Sequence, residues 1–103
     1  MGAVATTVEQ IGSRPTGQTV ETSRTVATTA AAIRAANLVP FFAASSTDAN
    51  LPMSMGIPAV AIDTGIRGDR PHSPEEWIDV TPSTTVSGLQ RTLLIVLSLA
   101  GVK

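Results

Sequence analysis

Val4, Thr6 and Val8 alternate with Ala5, Thr7 and Glu9, a period of two that predicts a strand near the start of the chain. Ile11 extends its apolar character, and Gly12 ends it. Ser13-Arg14-Pro15-Thr16-Gly17 reads as a turn, because Pro15 fixes its own φ and pushes Arg14 out of the helical region. The period then lengthens. Val26, Ala30 and Ile33 fall at i, i+4 and i+7, with Ala27 and Ala31 widening the face, so the spacing predicts a helix over about residues 23–36. Thr22 or Ser23 can cap it, and Asn37 is a plausible left-handed terminator. Two short apolar runs follow, Val39–Ala44 and Ile57–Ile62, each of strand length. Pro40 suits only the start of the first, and the second reads as a strand over 58–62 buried on both faces. Between them lie a polar turn, Ser45–Asn50, and a short helix, Leu51–Met55, closed by Gly56. Strand, short helix and strand in that order predict a crossover within one sheet. Pro74–Trp77 reads as a helical turn capped by Ser73, and Ile78–Val80 as an extended piece. Pro82-Ser83 opens a last helix over about 84–100, with Leu89, Leu93, Val96, Leu97 and Ala100 as its stripe. Leu94, Ile95 and Leu99 spread apolar surface around that helix, which predicts cover on more than one side, from the rest of a larger enzyme or from a second chain. The pattern as a whole predicts an α/β fold, a small mostly parallel sheet flanked by helices.

The 103 residues allow one small domain with a modest core. Only two Phe and one Trp are present, so that core is built from Ala, Val, Ile and Leu. A net charge of −1 offers no electrostatic reason to expect nucleic acid or an anionic membrane as partner. With no cysteine the chain has neither a disulfide nor a thiolate metal site, which fits a cytoplasmic protein. No basic n-region followed by an apolar h-region marks a signal peptide. The longest apolar stretch, Leu93 to Val102, has about half of the ~20 residues that span a bilayer, and reads as a buried helix end.

Chemistry concentrates between Ser45 and Trp77. The loop after Ile62 carries Gly65, Gly68, Arg67, Asp69, Arg70 and the single histidine, His72, a side chain able to bind zinc when neutral. Asp48, Asn50 and Asp63 are better explained by capping and turn formation than by metal binding or acid catalysis. Glu75-Glu76 fits a helix N-terminus. Arg67 and Arg70 contact substrate or solvate the loop, two roles that the sequence leaves open.

The stretch S-T-D-A-N-L-P-M-S-M-G-I-P-A-V, a Gly-rich loop and H-S-P-E-E-W together resemble the closing segment of the zinc-dependent exopeptidases and deacylases. That group includes glutamate carboxypeptidase, acetylornithine deacetylase, succinyl-diaminopimelate desuccinylase and aminoacylase. The resemblance runs from Ile11-Gly12-Ser13-Arg14-Pro15 to the last helix, and family members are several times longer. It implies that residues 1–13 are the last strand of an inserted lid and dimerisation domain, and that 14–103 are the C-terminal part of the catalytic domain. It places the family's last metal-ligand histidine at His72, a substrate-carboxylate arginine at Arg14, and pocket-lining small residues at Ser46 and Thr47. The complete family enzyme holds two zinc ions through an H-x-D motif, a bridging Asp, further carboxylates and that last His, with a Glu as general base. None of the earlier motifs occurs here, so the chain contributes at most one zinc ligand and no catalytic residue.

Two functions are therefore expected. The first is a C-terminal fragment of a metal-dependent peptidase or amidohydrolase for peptides or N-acyl amino acids, inactive alone and completed by an N-terminal half. The alternative is a free-standing, non-catalytic α/β module that acts through binding or as a homo-oligomer.

Overall fold

The computed structural model describes residues 2–102; the outer limits of the two expected segments, residues 1 and 103, lie outside the described residues. Helix α1 spans Arg24–Ala35. It starts where Ser23, in extended backbone, accepts a hydrogen bond from the Val26 N–H through its hydroxyl, satisfying one of the donors that a first helical turn leaves free. It stops at Asn37, whose φ of 58° is the left-handed conformation expected of it. Helix α2 is short, Asn50–Ser54, with Pro52 in its first turn and Gly56 (φ 76°) after it. Helix α3, Pro82–Ala100, begins two residues before its expected start, with Thr81 at the N-cap and Pro82 as first helical residue. Its end is a Schellman-type cap: Gly101 takes φ 81° while the Val102 N–H returns to the Leu97 carbonyl at 3.0 Å.

The core lies between α1 and α3. Val26, Ala30 and Ala32 of α1 are buried with Ile95 of α3, and the buried Thr29 hydroxyl donates to the Thr25 carbonyl one turn back. The Arg24 guanidinium at the start of α1 donates to the Leu99 carbonyl at the end of α3, at 3.1 Å. The two helices therefore pack antiparallel, and a cation sits where the α3 dipole is negative. Gly88 is buried on α3 because the loop backbone at Thr64 and Gly65 crosses it closely; a β-carbon there would collide with the Thr64 carbonyl. Arg91 one turn on holds the same loop through Asp63, Nη2 to Oδ1 at 2.6 Å.

This packing corrects the expected face of α3. Its inward side runs through Gly88, Arg91 and Ile95, and the stripe of Leu89, Leu93, Val96 and Leu97 stays exposed. Small and polar residues let the helix come close to its neighbours, whereas a leucine stripe holds them away. The surplus apolar surface is left uncovered.

The expected α/β fold is also corrected. The sheet is a two-stranded antiparallel ribbon, β1 (Gly68–Asp69) against β2 (Trp77–Ile78), with Gly68 opposite Ile78 and Asp69 opposite Trp77. The small, mostly parallel sheet flanked by helices does not form. Among the described residues, Val39–Ala44 and Ile57–Ile62 have no ladder partner, nor do residues 3–12. A strand exists only through hydrogen bonds to a neighbour, and apolar β-rich composition cannot supply one. Pro74–Trp77 is likewise no helical turn. It is the return of the ribbon, and Ser73 stabilises that turn by donating to the Arg70 carbonyl and accepting from the Glu75 N–H.

The entry to α3 is pH-sensitive. The Asp79 carboxylate accepts the Thr81 N–H at 2.9 Å, and this bond, aided by the Thr81 hydroxyl, holds its pKa below the ordinary value. Because the folded value is the lower one, the contribution is complete above about 3.9, the unfolded carboxylate value, and is lost as pH falls through the folded one. An NMR titration of Asp79 is expected to show a midpoint below that of a peptide carrying the same residues. In Asp79→Asn, the acid-induced fraying of the Thr81–Thr85 amides should disappear.

Candidate functional site

The turn at residues 13–17 and the polar turn at 45–50, far apart in sequence, meet in the fold. Arg14 is the centre of the contact. Its Nη1 donates to the Ser46 hydroxyl at 3.0 Å and its Nη2 to Asp48 Oδ1 at 3.2 Å. Asn50 fastens the two turns from below: its amide nitrogen donates to the Pro15 carbonyl at 3.1 Å, and its amide oxygen accepts the Thr47 N–H at 3.0 Å. The Thr47 hydroxyl in turn accepts the Ala49 N–H at 3.2 Å, which shapes the entry to α2. Locally the geometry follows from residue type. Pro15 stiffens one turn, and short side chains with hydroxyl, carboxylate or amide groups close the other on its own backbone.

The structure thus brings Arg14, Ser46 and Thr47 into one place. Asp48 and Asn50, which sequence reasoning assigned to capping, join the same cluster. The Asp48 pairing leaves no sequence signal, since its partner lies 34 residues away. A guanidinium carries five N–H donors, and two are engaged here, so Arg14 retains donors for a planar anion. The ion pair is exposed on both sides and stabilises the fold by roughly 0–1 kcal/mol at most. The pairing fixes the direction of the guanidinium, and any carboxylate brought to it would compete with Asp48.

His72 sits elsewhere, exposed in the turn between β1 and β2, with φ 64°. Arg70, two residues before, also has positive φ (56°). Two non-glycine residues in the left-handed region within three positions make this a strained turn. Among the described residues no group of three His, Cys, Asp or Glu side chains could hold a metal ion. The described residues therefore assemble no zinc site by themselves, and His72 can offer a metal one ligand where at least three are needed. Asp63 is occupied by Arg91 and by the Gly65 N–H, the turn-forming use expected of it.

Beside the Arg14 cluster lies a cavity of about 790 Å³, walled by residues 38–45 and 59–63, with Ala30 and Ile33 of α1 and Ile95 of α3 in its lining. Thr47 and Asn50 reach its edge. Thr19 ties down one wall, its hydroxyl donating to the Ala59 carbonyl at 2.6 Å and accepting the Ala59 N–H at 3.0 Å. One side chain there replaces the pair of bonds that a neighbouring strand would make.

No described helix is long and apolar enough to cross a membrane. No protein-family model matches the chain, and no curated protein matches it.

Proposed function

We propose that this chain is the C-terminal part of a metal-dependent hydrolase of peptides or N-acyl amino acids, inactive without a further segment that carries the remaining ligands and the general base. The reading rests on the resemblance of residues 45–77 to the zinc exopeptidases and deacylases. The observation that supports it is the cluster at Arg14: two of the residues the resemblance assigns to substrate, Arg14 and Ser46, are 32 positions apart and hydrogen-bonded to each other. In this reading Arg14 grips the free carboxylate of the substrate as a two-pronged donor. Ser46 and Thr47 hold the guanidinium and the neighbouring backbone in place, and His72 lends one ligand to a metal whose site is completed from outside this chain.

The test is to sequence the DNA upstream of the Met1 codon, join any segment encoding H-x-D and Glu-Glu to this chain, and assay N-acetyl amino acid hydrolysis. Hydrolysis is expected from the joined polypeptide and not from either part. Unrelated upstream sequence, or a joined protein that binds zinc without hydrolysing such substrates, would overturn the proposal.

A further inference from the structure

Two segments of this protein lie outside any strand ladder, and both line the same cavity; in the second, Ala59 is engaged by the Thr19 hydroxyl, and Val60–Ile62 are not. Among the described residues, no backbone–backbone hydrogen bond reaches Val39–Ser46 or Pro58–Ile62. Unpaired peptide groups beside apolar side chains are a template for an added strand. A third segment lacks a partner of its own. The arm at residues 3–12 makes no backbone–backbone hydrogen bond, and Val4 and Val8 are each 91% exposed and Ile11 98%. The arm runs clear of the body of a molecule 70 Å in its longest dimension.

We infer that the arm of a second copy enters this cavity as a strand, pairing with Phe41–Ala44 and Val60–Ile62, and that two copies exchange arms reciprocally. The inference does not rest on the hydrolase reading, and it assigns residues 3–8 to a second copy's cavity where that reading assigns 1–13 to a lid domain. Four features select this occupant. The first is length: residues 3–8 match the wall segment 39–44, six residues or about 20 Å when extended, and are long enough to run past 60–62 of the other wall. Charge agrees: no charged side chain occurs in residues 3–8, in 38–45 or in 58–62, and of the charged residues in the lining Asp63 and Arg91 pair with each other while Glu21 is exposed. Period follows too: Val4, Thr6 and Val8 share one side of a strand and can face Ala30 and Ile33 of α1, leaving Ala5 and Thr7 outside. Area is sufficient. An extended chain exposes roughly 1.45 Å² per dalton, so residues 3–8 offer about 800 Å² per arm, and two reciprocal arms reach about 1,600 Å², the size of a standard stable interface. A two-fold exchange also leaves no free edge for further growth, because each arm fills the other copy's cavity.

The test is the mass of the purified chain in solution over a concentration series, by light scattering, with amide hydrogen exchange on the same samples. A dimer is expected, with the Phe41–Ala44 and Val60–Ile62 amides protected. The doubly substituted Val4→Lys/Val8→Lys chain, altered only at exposed arm positions, should keep its helical circular dichroism, lose that protection and dissociate roughly 100-fold more readily, because a lysine ammonium set against Ala30 and Ile33 would lose its water without gaining a partner. Leu93→Lys, on the exposed face of α3, should leave the dimer intact. Three results would overturn the inference: a monomer at every concentration, a dimer indifferent to the arm substitutions, or a dimer lost only in Leu93→Lys. Protection of Phe41–Ala44 in a monomer would mean that the chain's own arm fills the cavity, and would overturn it as well.

Discussion

Ile95→Ala lowers the stability of this protein by about 2–3 kcal/mol, with a fall in Tm of roughly 10 °C or more for a domain of this size. Ile95 is the most enclosed of the large apolar side chains, 3% exposed, and it faces an α1 built largely of alanine. Truncation removes the largest of the apolar side chains buried between the two helices, and short neighbours cannot reach across to refill the gap. The effect stays at the low end of the range for such changes because Ile95 also borders the cavity, so part of its surface already lacks packed neighbours. The comparison that gives the measurement its meaning is Leu89→Ala. Leu89 belongs to the more hydrophobic stripe, yet it is 57% exposed and its loss should cost within about 0.5 kcal/mol. Thermal unfolding of both variants decides which face of α3 holds the fold. If Leu89→Ala proves the more damaging, the exposed stripe is covered in solution and the α1–α3 contact is not the centre of stability.

The second large effect concerns function. In the joined hydrolase, Arg14→Ala is expected to raise KM for an N-acyl amino acid roughly 100-fold, with kcat little changed. Hydrogen bonds to a charged partner contribute about 1.5–3 kcal/mol each; a guanidinium gripping a carboxylate makes two, and at an exposed site the low end applies, about 3 kcal/mol or roughly 100-fold. Arg14→Lys should recover only part of the loss, since an ammonium is a point charge without the planar fork. The control is a substrate whose terminal carboxylate is an amide. Against it the wild-type and Arg14→Ala enzymes should have nearly equal KM. A residue that merely fastened the two turns would affect both substrates alike, and equal losses would therefore remove Arg14 from the binding site.

Much of the local structure was legible from residue order, because it depends on neighbours a few positions apart. The Ser23 cap and Asn37 stop of α1, Pro52 and Gly56 around α2, and the long α3 each rest on hydrogen bonds or backbone preferences within one or two turns. The strands did not follow. Val39–Ala44 and Ile57–Ile62 carry the composition of buried strands, but pairing is a property of two segments, and neither has a ladder partner among the described residues. The ribbon formed instead where the loop residues Gly68-Asp69 and Trp77-Ile78 were brought together by the turn between them. On α3 the apolar pattern marked the wrong face, since the close crossing of Gly88 by the loop decided which side points inward.

The candidate site divides along the same line. Arg14, Ser46, Thr47 and His72 are recognisable in the sequence as residue types in a particular order. Only the tertiary structure joins Arg14 to Asp48 and Asn50 to Pro15, and only it sets His72 apart in a strained, exposed turn. Sequence by itself determined the helices, their caps and the kinds of chemistry this protein can bring to a site. Which faces are buried, which strands go unpaired and which side chains meet was decided by tertiary packing, because those contacts join residues that no local rule connects.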